Sequence, residues 1–88
     1  MKLIITIISD NDNEPVSRAL IAKDFRVTRI ASTGGFFHRG SSTLMIGVSD
    51  EKVDQAIQAI KETVTPSAEP GSPRATIFVL DVENFTQI

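Results

Sequence analysis

The sequence predicts an α+β fold in a single domain spanning residues 1–88, with four strands and two helices ordered strand, helix, strand, strand, helix, strand. Three observations predict it. Residues 2–9, KLIITIIS, are β-branched or apolar in both alternating sets, the pattern of a central strand covered on two sides. Residues 25–32 and 43–48 are two more strand-like runs, separated by a loop that holds Gly34 and Gly35. Val53, Ala56, Ile57 and Ile60 recur at spacings of three and four, the apolar stripe of an amphipathic helix.

Taken in order, the first strand runs into Asn11, Asp12, Asn13, Glu14 and Pro15, which supply capping residues, an early acid and a first-turn proline. A helix follows to about Lys23, with Val16, Ala19 and Leu20 toward the sheet. In the third strand Leu44, Ile46 and Val48 alternate with Thr43, Met45 and Gly47. Ser49 or Asp50 caps the second helix. Residues 63–73, TVTPSAEPGSP, carry three prolines and a glycine and form an exposed loop. Residues 74–82 return as the fourth strand, and 83–88 are a short tail. This order is the split arrangement of ferredoxin-like folds, a four-stranded antiparallel sheet with two helices on one face. The other face needs a cover, and a second subunit can supply it, since a chain this short buries only roughly 60 to 65% of its unfolded surface alone.

Composition excludes several function classes. No apolar run approaches the ~20 residues of a membrane span, and the short run 3–8 leads into Asp10 and Asp12 rather than a signal-peptide cleavage site. The expected location is the cytoplasm. Without cysteine there is no disulfide framework, thiolate nucleophile or zinc-finger site. A net charge of -2 argues against general nucleic-acid binding. The positive charge is nonetheless clustered, because Arg26, Arg29 and Arg39 lie in a stretch free of acids.

The chemistry points to binding rather than catalysis. Gly34 and Gly35 let another molecule approach the backbone closely, and Phe36 and Phe37 stand beside the basic, hydroxyl-rich run His38, Arg39, Gly40, Ser41, Ser42. That combination suits an aromatic, anionic small molecule such as a nucleotide. Each feature also has a plainer reading. A glycine pair alone is a hairpin turn, the two phenylalanines serve a subunit contact equally well, and Phe78 reads as core in an apolar strand. Arg26 alone reads as a solvated strand residue. His38, the only histidine, has no partners for a metal site and is expected in solvent. Asp10 to Asn13 lack the glycine and distal glutamate of a calcium loop. There is no P-loop, G-x-G-x-x-G or nucleophile elbow, so no catalytic residues, metal ligands or cofactor are expected and the chain reads as a non-enzyme.

Four segments carry a family resemblance: MKLIITIISDND, FRVTRIASTGGFFHRGSSTLMIGV, ATIFVLDV and the ending NFTQI. Together they resemble the PII-like cyclic di-AMP receptor family of bacterial signalling proteins, the PstA or DarA type, with the TGGF block the most specific part. The resemblance covers nearly the whole chain. It implies a homotrimer with sheets packed together and one cyclic di-AMP in each cleft between subunits, relaying its signal to an unidentified protein partner, with no nucleic acid or membrane involved. The implied ligand-binding residues are Arg26 and Thr28, then Gly35, Phe36, Phe37 and Ser41, then Gly47, Phe78 and Gln87. Arg26 pairs with phosphate charge, Thr28 bonds phosphate or base, and Gln87 both donates to and accepts from a base edge.

Three departures accompany the resemblance. Ser41 stands where the family pattern has asparagine, the loop before the fourth strand is short, and the ending reads FTQI where the pattern has FHQF. Two alternatives therefore stand beside the receptor reading: a PII-like trimer for ATP or AMP, and a structural trimer without a ligand. An RNA-recognition motif shares the order of elements, but residues 39–46 provide no aromatic platform.

Overall fold

The computed structural model describes residues 1–30, 40–66, 71 and 73–88. Its elements are β1 (Lys2–Ser9), α1 (Asp10–Ala22), β2 (Arg26–Ile30), β3 (Ser41–Val48), a 3-10 turn (Asp50–Lys52), α2 (Val53–Thr63) and β4 (Ala75–Asp81). The strands form one antiparallel sheet in the order β2-β3-β1-β4. This is the predicted ferredoxin-like arrangement.

Strand alternation sorts the residues into two layers. On β1 the side chains of Ile4, Thr6 and Ile8 are buried while Leu3, Ile5 and Ile7 are half-buried, as expected when successive residues point to opposite faces. The register sets Ile4 beside Ile46 and Thr6 beside Leu44, so the buried rows of β1 and β3 coincide. Helix α1 adds Val16 and Leu20 to that layer, and α2 adds Ala56, Ala59 and Ile60. Val53 and Ile57, the other members of the predicted stripe, pack at its edge. The opposite face presents Leu3, Ile5, Met45, Phe78 and Leu80, of which Phe78 is 51% exposed. Phe78 therefore does not belong to the core that its apolar strand suggested, because the register puts it on the uncovered face.

The start of α1 differs from the sequence reading. The cap is Ser9, whose hydroxyl accepts from the Asn11 amide at 3.3 Å, and Pro15 lies inside the helix rather than in its first turn. Asp12 and Asn13, expected as caps, are buried. The Asp12 carboxylate accepts from the Thr65 amide at 3.2 Å and the Thr65 hydroxyl at 2.8 Å. Asn13 donates to Ser42 at 3.1 Å, and Ser42 donates to Asp10. Long-range partners compete with local capping for the same short polar side chains, and here they win.

Other boundaries shift by a residue or two. Strand β3 starts at Ser41, earlier than expected, because Ser41 and Ser42 pair with Ser9 and Ile8. Phe25 is buried just before β2, where its amide closes on the Leu20 carbonyl at 3.0 Å after a turn with Asp24 at φ 66. Asp50 begins a 3-10 turn rather than α2 itself. Thr63 belongs to α2 rather than to the following loop.

Two stability outcomes follow. The buried Thr6 hydroxyl has no hydrogen-bond partner among the described residues. Replacing Thr6→Val keeps the shape and removes the orphaned oxygen, so urea denaturation should show a gain of about 1 kcal/mol. By contrast, Leu20→Ala empties a fully buried site and should cost roughly 2 to 5 kcal/mol in the same assay.

Candidate functional site

On the uncovered face the register lays out rows of side chains across the sheet. One row runs Leu80, Leu3, Gly47, Arg26, and the next runs Phe78, Ile5, Met45, Thr28. Gly47 has no side chain to fill its place between Leu3 and Arg26. A glycine inside a strand weakens it and marks a point of close approach. Its φ is not in the left-handed region, and a Cβ there would meet only the end of the Met1 side chain at 3.0 Å. Backbone conformation does not require a glycine here, and the end of the Met1 side chain packs where its side chain would stand.

The tail completes the hollow. After β4 the Val82 amide donates to the Met1 carbonyl at 3.0 Å, which ties the chain's exit to the start of β1. Phe85 and Gln87 then line a cavity of about 450 Å³ together with Arg26, Thr28 and Gly47, within the usual size range of small-molecule sites. Arg26 contributes a cation that joins no salt bridge among the described residues. Thr28 offers a hydroxyl and Gln87 an amide that both donates and accepts. Met1, Leu3, Met45, Val82 and the Phe85 ring supply the apolar wall. A cation, a hydroxyl and an amide set in a largely apolar wall can hold a flat, anionic molecule.

The expected residues divide into three groups. Arg26, Thr28, Gly47 and Gln87 come together in this cavity. Ser41 does not, because it lies six residues along β3 from Gly47, about 20 Å in an extended strand. It lines a separate cavity of about 440 Å³ with Asp12, Thr65 and Arg74. Phe78 shares a row with Thr28 but is three strands away on β4, and it is absent from the cavity wall. Gly35, Phe36 and Phe37, with the other expected loop residues His38 and Arg39, lie outside the described residues.

The sequence reading missed the apolar wall, Phe85 above all. The available signal was an aromatic two positions before Gln87 in a tail otherwise polar apart from Ile88. Leu3 and Met45 carried only an alternation signal, which says which face they occupy but not that a hollow forms between them.

One ion pair braces the point where the tail departs. Lys2 bonds Asp81 across the ends of β1 and β4. The hydrogen bond to Lys2, then its charge, holds the Asp81 carboxyl below its ordinary 3.8. The same bond raises Lys2 above its ordinary 10.5.

An antiparallel sheet with both helices on one face and a surface cavity beside its C-terminal tail places the molecule among small α+β proteins of the ferredoxin-like type. A family profile described as "Cyclic-di-AMP receptor" matches residues 1–70, and the chain belongs to that family. Strand β4 and the tail, which bring Phe85 and Gln87 to the cavity, lie beyond the matched residues. A structure described as "The crystal structure of a functionally unknown protein from Pediococcus pentosaceus ATCC 25745" is similar with a TM-score of 0.79 and 33% identity, covering 99% of this chain and 96% of that one. Among the described residues, no helix is long and apolar enough to cross a membrane.

The ion pair gives a pH dependence with a definite sign. A lowered folded-state pKa stabilises above the unfolded value and loses that contribution as pH falls through the folded one; the raised Lys2 contributes below 10.5 and loses it as pH climbs past its folded value. Thermal denaturation of Asp81→Asn between pH 2 and 8 should therefore show a smaller acid-side loss of stability than the parent chain.

Proposed function

We propose that this protein is a non-enzymatic signal receptor, a single-domain homotrimer that binds cyclic di-AMP in clefts between subunits and relays the binding through loop changes to a partner protein. The observation that carries this reading is the cavity in which Arg26, Thr28, Gly47 and Gln87 meet, in a chain of the cyclic-di-AMP receptor family. Arg26 holds a phosphate, Thr28 bonds phosphate or base, Gln87 reads a base edge, and Gly47 lets the ligand approach the strand once the flexible Met1 side chain moves aside. The uncovered apolar face of Leu3, Ile5, Met45, Phe78 and Leu80 supports the trimer, since contiguous exposed apolar surface marks an association site. Sheet packing between subunits would cover Phe78 and bring one subunit's β4 toward another's cavity. Ligand binding shifts the loops only by its differential affinity for their states.

Ser41, standing where the family pattern has asparagine, makes ATP and AMP the competing ligands to compare. Isothermal titration calorimetry with cyclic di-AMP, ATP and AMP, on protein whose mass is set by light scattering, tests the reading. The expected result is a trimer that binds about one cyclic di-AMP per subunit and prefers it to the mononucleotides. A folded trimer that binds no nucleotide would refute it in favour of a structural trimer. Arg26→Ala and Thr28→Val should leave the trimer intact, with Arg26→Ala weakening binding roughly 10-fold or more, as expected for a lost charge-assisted contact.

A further inference from the structure

Phe85 has no structural task that accounts for its placement. It is 66% exposed, lies in a tail without regular secondary structure, and belongs to no part of the buried core. A phenylalanine left this open gains little from burial, yet it lines the cavity that holds Arg26, Thr28, Gly47 and Gln87. In the same cavity Gly47 contributes no side chain of its own, and the end of the Met1 side chain lies beside it. An exposed aromatic ring on the wall of a cavity that also holds a cation and a side-chain amide offers a base a surface to stack on.

From this geometry we infer that Phe85 is an aromatic platform for a purine ring of the bound nucleotide, and that it sets the site's preference for purines. The inference rests on the receptor reading above and deepens it. Arg26 fixes the phosphate at one end, and the tail lays Phe85 over the base while Gln87, two residues on, meets the base edge. The tail needs no regular structure for this, because its anchor is the bond from the Val82 amide to the Met1 carbonyl. A purine offers more π-surface than a pyrimidine, so the ring discriminates by contact area while Gln87 adds hydrogen bonding.

The chain contains neither tryptophan nor tyrosine, which makes a direct test available. Phe85→Trp places a single indole in the cavity, and its fluorescence should be quenched saturably by a stacked purine. Titrations of Phe85→Trp, Phe85→Ala and Phe85→Leu, with the parent chain, use cyclic di-AMP, AMP, ATP and UMP as probes. The expected outcome is that Phe85→Ala and Phe85→Leu both bind purine nucleotide roughly 5- to 100-fold more weakly, the span that stacking on one aromatic provides, and Phe85→Trp retains binding. Loss in the leucine variant separates stacking from mere apolar cover. If the parent binds cyclic di-AMP and the alanine variant binds it equally well, the platform is overturned while the receptor reading stands. If the parent binds AMP or ATP but not cyclic di-AMP, the receptor reading fails and the same variants decide the platform on that nucleotide. A folded parent that binds no purine, or an alanine variant that loses its oligomeric state, overturns the platform.

Discussion

The arrangement depends on β1 being paired along both edges while carrying apolar side chains on both faces. Every residue from Lys2 to Ile8 faces a partner on β3 and another on β4, so a slip of one position would exchange the buried set Ile4, Thr6 and Ile8 with the outer set Leu3, Ile5 and Ile7. The helices fix the choice by covering the first set with Val16, Leu20 and Ile60. Once that face is dry, the opposite face of the sheet is committed to whatever lies outside the fold, and the cavity is built there.

The cavity is a consequence of the same register. Gly47 falls opposite both Leu3 and Arg26, and all three line the hollow together with Met1. Lys2, Asp81, Met1 and Val82 hold the ends of β1 and β4 together, and that bracing directs the tail back across the hollow. The cavity thus arises where one edge of the outer sheet face meets the path of the last residues. The family assignment, which rests on residues 1–70, covers the floor of this site but not its tail wall.

A second polar cluster organises the other end of the molecule. Asp10, Asp12 and Asn13 bind Ser42 and Thr65 across long sequence separations, joining the start of β3 and the segment after α2 to the first turn of α1. In the sequence these side chains are indistinguishable from ordinary helix caps, because short polar residues before a helix serve either purpose. Only the buried positions of Asp12 and Asn13 decide between them. The early start of β3 has the same origin: two serines look like loop residues until β1 is seen to offer them ladder partners.

The sequence by itself determined the element order, the buried faces of β3 and α2, and the family resemblance. Those properties follow from local periods of two and 3.6 and from residue types that keep their chemistry wherever they are placed. It also named Arg26, Thr28, Gly47 and Gln87 as candidates, and among the described residues these are the ones the fold gathers. Which candidates meet was decided by the tertiary structure alone. Ser41 sits at the far end of the strand that carries Gly47, Phe78 stands exposed three strands from Thr28, and Phe85 reaches the cavity because the tail folds back. Register across four strands and the course of an irregular tail depend on contacts between residues tens of positions apart, and no local period encodes them.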